Sequence, residues 1–470
     1  MSVSGVRGRV GGGLVPELMV RLAAAHGARL QARSSTRGAR ERVVVVGRDS
    51  RTSGPMLRDA AVAGLLSVGC DVLDLGLCPT PTALLAVRTL GAAGGLIVTA
   101  SHNPVEWNGA KLVSGRGLFL TPAESRETLD LFLAGGATQA GWDGLGRARE
   151  ERGALAAHVR RILAAPEVDV ARVRERGFRV VLDACHGVGA LLLEPLLQEL
   201  GCGVETLYGE PTGRFPRAPE PVPQALGELA GRVRATGADL GLAVDPDGDR
   251  LALVAEDGVA LAEDLTLALA VARVLPLHAG PVVTNLSTSR AVDDAAARAA
   301  SGPVVRVPVG EIHVAERMLS LGSPIGGEGN GGVIYPAVHP TRDAGSAAAL
   351  VLSHLAATGS TLSEAAAALP RYAIVKESVP LSAAGVGFEA ARVASLFPGA
   401  PLPDLEDGVR LEWPEERAWV HVRPSATEPI VRIIAEAPTA EAARRLVDRA
   451  RAAFDPPRTS PEARAARGPA

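Results

Sequence analysis

The sequence predicts an α/β protein of several domains: three α/β units with mixed, mostly parallel sheets, then a smaller C-terminal α+β unit. Three observations support this. The 470 residues exceed what a single core serves, and a prior of about 100 to 200 residues per domain gives three or four. Short apolar runs alternate with amphipathic helix patterns up to residue 369, which implies parallel strands joined by right-handed crossovers. Beyond that point strands succeed one another without helices, as in an antiparallel sheet. The expected bounds are 1–152, 153–255, 256–369 and 370–456, with a disordered Pro-, Arg- and Ala-rich tail over 457–470.

Ser4-Gly5-Val6-Arg7-Gly8 places glycines around one arginine. The backbone there could approach a phosphate closely, and Arg7 could bind it with both arms of its fork. Residues 31–42 read as a solvated loop. A buried strand over Arg42–Asp49, a helix over Pro55–Val68, a strand over Val72–Leu75 and a helix over Thr82–Leu90 follow. Gly94–Val98 then reads as a buried parallel strand running into Thr99-Ala100-Ser101-His102-Asn103-Pro104, followed by Trp107-Asn108-Gly109-Ala110-Lys111. Pro104 keeps Asn103 out of helical geometry, and open α/β sheets bind ligands at the carboxyl ends of their strands. A serine, an imidazole, an amide and a lysine this close together suit a covalent phosphoryl carrier. Cations would hold the phosphate oxygens, and a base would handle the serine proton. From these residues alone, a turn in which Ser101 or Asn103 merely caps a helix is equally open.

The second unit begins with a helix over Leu155–Leu163 and a strand over Phe178–Asp183. The turn at 184–189 lacks the Lys-Ser/Thr of a nucleotide-binding loop, and Cys185-His186 has no second ligand pair. The Pro-rich stretch Pro211–Pro223 is a stiff excursion that returns to a helix over Gln224–Ala235. A strand over Leu240–Val244 ends in Asp245-Pro246-Asp247-Gly248-Asp249-Arg250. Pro246 and Gly248 interrupt helix and strand alike, so the chain can curl and aim three carboxylates at one centre. Clustered anions need a cation, and hard oxygen ligands suit Mg²⁺. An EF-hand reading fails because Arg250 stands where that loop needs glycine and the flanks are strands.

The third unit offers helices over Glu263–Leu275 and Ala291–Ala300 and strands over Val282–Asn285 and Val304–Val307. Gly326-Gly327-Glu328-Gly329-Asn330-Gly331-Gly332 reads as a loop anchored between strand-like ends, and Glu328 and Asn330 are suited to sugar hydroxyls or an amine. The last unit has strands over Val409–Trp413, Ala418–Arg423 and Ile430–Ala437 and a closing helix over Ala440–Phe454. Between two of these strands, Arg423-Pro424-Ser425-Ala426-Thr427-Glu428-Pro429 combines an arginine with two hydroxyls in a Pro-bounded turn, as expected of a phosphate anchor.

Composition narrows the classes. Basic and acidic residues nearly balance at 49 and 52, and aromatics are scarce at 3%, so a nucleic-acid partner is not expected. Four cysteines without Cys-x-x-Cys spacing suggest buried thiols in a reducing compartment. No signal segment and no run of 18 apolar residues is seen, and a cytoplasmic location without membrane contact is expected.

Taken in order, the Arg7, Ser101, aspartate, Glu328 and Arg423 loops resemble those of the phosphohexomutases, the α-D-phosphohexomutase superfamily, over nearly the whole chain. The resemblance implies three similar α/β domains and the smaller fourth around a central cleft, with an intramolecular phosphotransferase activity of the isomerase class. It makes Ser101 the phosphoserine, beside Mg²⁺ held by Asp245, Asp247 and Asp249. Lys111 and His102 become proton-transfer and phosphate-stabilising groups, Arg250 a neighbouring clamp, and Arg7 an arm into the site. Glu328 and Asn330 would read the sugar, and Arg423, Ser425, Ala426, Thr427 and Arg432 would surround the phosphate that does not react. Gly-Glu-Gly-Asn-Gly-Gly-Val-Ile is most similar to the phosphoglucosamine mutase branch. That implies interconversion of glucosamine 6-phosphate and glucosamine 1-phosphate through a 1,6-bisphosphate, with phosphomannomutase/phosphoglucomutase as the alternative. Thr341, Ala426 and Glu311 depart from residues usual in relatives. A haloacid-dehalogenase-type phosphatase would leave the serine loop unexplained, and a non-catalytic sugar-phosphate binder would not need Ser101 and the carboxylates together.

Overall fold

The computed structural model describes residues 5–33, 42–135, 137–299, 302–381, 388–425 and 430–454. The first sheet takes β1 (Val6–Arg9), α1 (Pro16–Arg33), β2 (Val43–Arg48), α2 (Gly54–Ser67), β3 (Asp71–Leu77), α3 (Thr80–Thr89), β4 (Gly94–Val98), β5 (Trp107–Ser114), α4 (Pro122–Leu133) and β6 (Ala148–Glu150). Its strand order is β1-β5-β4-β2-β3-β6. The central strands pair in parallel, while β5 is antiparallel to both β4 and β1. Both faces are covered, so the central strands are apolar throughout. Val44, Val46, Leu96 and Val98 pack with Met19, Leu22, Leu57 and Leu65 of α1 and α2. The alternating Val45 and Ile97 pack with Leu84 and Val87 of α3.

The second sheet is built from α5 (Ala154–Leu163), α6 (Val170–Arg176), β7 (Arg179–Asp183), α7 (Ala190–Glu199), β8 (Gly203–Leu207), α8 (Gly227–Thr236), β9 (Leu240–Val244) and β10 (Leu251–Ala255), in the order β10-β9-β7-β8. The helix expected over Gln224–Ala235 is divided. A 3-10 turn covers Pro223–Ala225, and α8 begins only at Gly227. Helix α6, capped by the Asp169 side chain, has no counterpart in the sequence reading.

The third sheet contains α9 (Asp264–Val274), β11 (Val282–Asn285), α10 (Ala291–Arg298), β12 (Val304–Val307), α11 (Glu311–Leu321), β13 (Ile325–Glu328), β14 (Gly332–Tyr335), β15 (His339–Arg342), α12 (Ala344–Thr358) and α13 (Leu362–Ala367), in the order β12-β11-β13-β14-β15. Here the structure corrects the glycine-rich loop. Gly326, Gly327 and Glu328 are strand residues, paired with β11 on one side and β14 on the other. A Cβ on Gly326 would lie 2.3 Å from the Val283 carbonyl oxygen, so glycine there permits close strand contact rather than flexibility.

These three sheets lie in one compact unit, and residues from Arg371 onward form a second. The second unit has β16 (Ala373–Pro380), α14 (Ala390–Ser395), β17 (Val409–Trp413), β18 (Ala418–Pro424), β19 (Ile430–Ala437) and α15 (Ala440–Arg451). Its sheet, β16-β19-β18-β17, is wholly antiparallel. Val409, Leu411, Val420, Val422, Val431 and Ile433 form its core with Val447 of α15. The four cysteines are buried free thiols. Among the described residues no helix is long and apolar enough to cross a membrane.

Candidate active site

The β4 strand delivers Ser101 into a buried position with φ of 50°. That left-handed conformation is uncommon for a residue with a side chain and tends to occur at functional loops. The Ser101 Oγ lies 3.3 Å from Asp245 Oδ2 and 3.4 Å from His102 Nδ1. Its backbone N–H donates to Thr99 Oγ1 at 2.9 Å, and the Thr99 hydroxyl donates to Asp49 Oδ2 at 2.6 Å. Burial, then the charges of Arg250 and Arg7, hold the His102 pKa well below the usual imidazole range. A neutral ring so placed can accept a proton from the serine.

The aspartate turn joins β9 to the antiparallel β10. Gly248 adopts φ of 71°, which a Cβ would oppose, and so closes the curl. Asp249 N–H and Arg250 N–H both donate to Asp245 Oδ1. Carboxylate oxygens of Asp245, Asp247 and Asp249 lie within 4.8 Å of one another. Thr80 at the start of α3 donates through its hydroxyl to Asp247 Oδ2 at 2.6 Å and through its N–H to the Asp247 carbonyl. Lys111 on β5 is buried, with Nζ 2.7 Å from Asp247 Oδ2 and 3.2 Å from Asp249 Oδ2.

Three buried carboxylates cannot all be charged without compensation. Asp245 is pushed well above the usual carboxylate range by burial and then by Asp249 and Asp247. For Asp247, burial and the Asp249 charge act upward, but Lys111 and the Thr80 hydroxyl bring it below its ordinary value. Asp249 is also lowered against the cost of burial, chiefly by Arg342 and Lys111. In turn Lys111 is raised, because Asp247 and Asp249 together outweigh burial. Buried Oδ1 atoms of Asp247 and Asp249 have no hydrogen-bond partner. Unsatisfied hard oxygens in a cluster of three carboxylates fit a Mg²⁺ site.

The structure brings the other expected residues of the first unit to these loops. Arg7 of β1 stands opposite Gly109 and donates to Asn103 Oδ1 at 2.9 Å. Arg250 meets Glu220 Oε1 at 2.6 Å. Glu328 is buried, its Oε1 accepting from Asn285 Nδ2 and Gly310 N–H and its Oε2 from Arg342. Asn330 is half-buried, and its Oδ1 accepts from Gly332 N–H.

Arg342 is the main addition. It donates to Asp249 at 2.7 Å, to Glu328 at 2.9 Å and to Glu311 at 3.0 Å, joining the aspartate turn to the third sheet. Glu311 further accepts from Thr341 Oγ1 and Arg342 N–H. Glu311 and Thr341 are thus a matched pair that orients Arg342. The sequence signal for this was a charged Arg-Asp pair beside an apolar helix.

In the second unit, Arg423 pairs with Asp407 at 2.8 Å and lies opposite Arg432 across β18 and β19. Ser425 N–H donates to the Ile430 carbonyl. Ala426 and Thr427, expected around the phosphate, lie outside the described residues, as does the tail over 457–470.

The class of protein that this fold and these loops describe is a phosphoryl-transfer enzyme. Family models for phosphoglucomutase/phosphomannomutase match in series: α/β/α domain I over 1–136, domain II over 156–258, domain III over 262–372 and the C-terminal domain over 381–453. A "Probable phosphoglucosamine mutase" of Methanopyrus kandleri is 39% identical, over 95% of each chain. A "Phosphoglucomutase/phosphomannomutase" of Thermococcus kodakarensis is 38% identical, over 94% of this chain and 96% of its own. The crystal structure of a phosphoglucomutase/phosphomannomutase family protein from Burkholderia thailandensis superposes with a TM-score of 0.82 at 26% identity, covering 96% of this chain and 95% of that one. The chain belongs to the phosphoglucomutase/phosphomannomutase family and is a phosphohexomutase, an isomerase-class phosphotransferase.

Proposed function

We propose that this enzyme interconverts glucosamine 6-phosphate and glucosamine 1-phosphate, with Ser101 as the covalent phosphoryl carrier. The observation that carries the reading is the Ser101 hydroxyl, buried between a neutral His102 and the Asp245 carboxyl. In the first half-reaction a sugar hydroxyl attacks the phosphorus on Ser101, the P–O bond to Oγ breaks, and the proton that the sugar hydroxyl gives up is balanced by the one that the departing serine oxygen takes. In the second, Ser101 Oγ attacks the other phosphate of the resulting 1,6-bisphosphate as its proton passes to His102 Nδ1, the P–O bond to that sugar oxygen breaks, and the departing sugar oxygen takes up a proton to become a hydroxyl. Lys111, with Arg250 and Arg7, supplies positive charge for the phosphoryl oxygens. Asp245, Asp247 and Asp249, with an oxygen on Ser101, would hold Mg²⁺, which neutralises charge on the transferring group. Arg423, Ser425, Ala426, Thr427 and Arg432 would bind the phosphate that stays in place, with Arg423 exchanging Asp407 for it. Glu328 retains acceptor capacity beyond its protein partners and would, with Asn330, take the sugar amine or hydroxyls.

The glucosamine assignment draws support from the Methanopyrus relative, and the Thermococcus kodakarensis relative at 38% supports glucose or mannose phosphates as the second reading. Intact-mass measurement should find one phosphate on the purified enzyme and none on Ser101→Ala, which should also lose turnover. Parallel assays with glucosamine, glucose and mannose phosphates then decide the sugar. A higher kcat/KM for mannose phosphates would move the assignment to the second reading.

A further inference from the structure

Arg51 plays no part in the chemistry described above, yet it is fully buried and every donor it possesses is committed. Its Nε donates to Asp49 Oδ2 at 3.1 Å. One terminal nitrogen donates to the carbonyls of Pro104 at 2.7 Å and Trp107 at 2.8 Å. The other donates to the carbonyls of Ser101 at 2.7 Å and Asn103 at 2.6 Å. A guanidinium has five N–H groups in a planar fork, and no other side chain could meet four loop carbonyls and a carboxylate at once. The loop has few bonds of its own, among them Asn103 N–H to Ala100 and Trp107 N–H to Pro104. Its shape is therefore set largely by this one side chain.

We propose that Arg51 is the positioning residue that holds Ser101 ready for phosphoryl transfer, an inference that rests on the phosphoserine reading above. Ser101 occupies a strained backbone region, and such a conformation persists only where its surroundings over-determine it. Arg51 pins the Ser101 carbonyl. Asp49, which accepts from Arg51 Nε, also holds Thr99 and through it the Ser101 N–H. With both peptide groups of Ser101 fixed, the hydroxyl is directed towards Asp245. Phe215 lies over the guanidinium, 5.0 Å from ring centre to Cζ. The same Pro-rich excursion carries Arg217, which grips Asp183 and the Val244 carbonyl just before Asp245, and Glu220, which meets Arg250. One strap thus seats both Arg51 and the aspartate turn.

The test is single-turnover transfer from glucose 1,6-bisphosphate to dephosphorylated enzyme, followed by intact mass, with bisphosphate affinity measured separately. Arg51→Lys keeps the charge but can make at most three of the five bonds. It should slow transfer at saturation about a hundredfold, the penalty of a misplaced reacting atom, while affinity stays within about threefold. Transfer within threefold of the parent, or a loss that follows affinity alone, would overturn the proposal. Should Arg51→Lys not fold, Phe215→Leu removes only the ring above the guanidinium. It should slow transfer about three- to tenfold, and an unchanged rate would overturn the proposal. If the parent enzyme takes no phosphate on Ser101, the phosphoserine reading fails first and this inference with it.

Discussion

Lys111 is held in a buried position by two carboxylates, and each of them depends on it. Asp247→Asn removes one anion from the proposed cation site and one partner from the ammonium. Mg²⁺ affinity should fall about ten- to hundredfold, since a charge-assisted contact is worth about 1.5 to 3 kcal/mol; calorimetric titration would measure it, and unchanged affinity would rule out the metal reading. Arg423→Ala should weaken glucosamine 1-phosphate and 6-phosphate alike, because in the proposed role the turn would recognise a phosphate rather than a sugar face. A defect confined to one substrate would show that the anchor is not shared. Ser101, His102, Lys111 and the three aspartates were legible in the sequence because each set lies within a few residues of chain. Arg51 and Arg342 were not, because their value comes from partners up to 93 positions away.

Among the elements, α12 shows how a helix start can join separate parts of the fold. Asp343 caps it, accepting from Gly345 N–H and Ser346 N–H, and also faces His158 Nε2 of α5 at 3.2 Å. Thr82 of α3 meets the other ring nitrogen at 2.9 Å. Asp343→Ala should therefore cost about 2 to 4 kcal/mol, combining a lost cap with an orphaned buried imidazole. A drop in thermal midpoint no larger than an ordinary surface cap gives would show that the His158 contact contributes nothing. Long periodic helices such as α2 and α9 were legible for the usual reason of repeated apolar spacing. The short α6 was missed because seven residues show barely two turns, and β13 because glycine in a sequence suggests a loop whether or not neighbouring strands crowd it.

At the scale of the whole molecule, two buried histidines outside the aspartate turn should make the fold sensitive to acid. Burial pushes His26 down to about 3 and His339 down to about 4. Both are neutral in the native state, whereas the unfolded chain protonates them near pH 6.5. Between that value and the native one the unfolded state binds more protons, so stability is complete above it and declines as pH falls. Each group contributes about 1.4 kcal/mol per pH unit. The thermal midpoint should drop between pH 7 and pH 5, less steeply in His26→Gln; a flat profile would contradict this. The division into α/β units followed by an antiparallel sheet was readable from helix and strand alternation. The reversal of β5 against β4 was not, because pairing direction leaves no trace in local periodicity.

Lys111 also has a consequence for handling the protein. The chain carries two lysines, Lys111 and Lys376, and the first is shielded from solvent and kept protonated by its carboxylates. Lys376 is exposed on β16 of the second compact unit. Acylating reagents need an accessible, unprotonated amine. Apart from the α-amino group, a fluorophore ester or a surface-coupling linker should therefore attach at one place, on the C-terminal unit, and leave Lys111 and the aspartate turn unmodified. A conjugate made without engineering any cysteine could then carry a dye that reports on the C-terminal sheet alone.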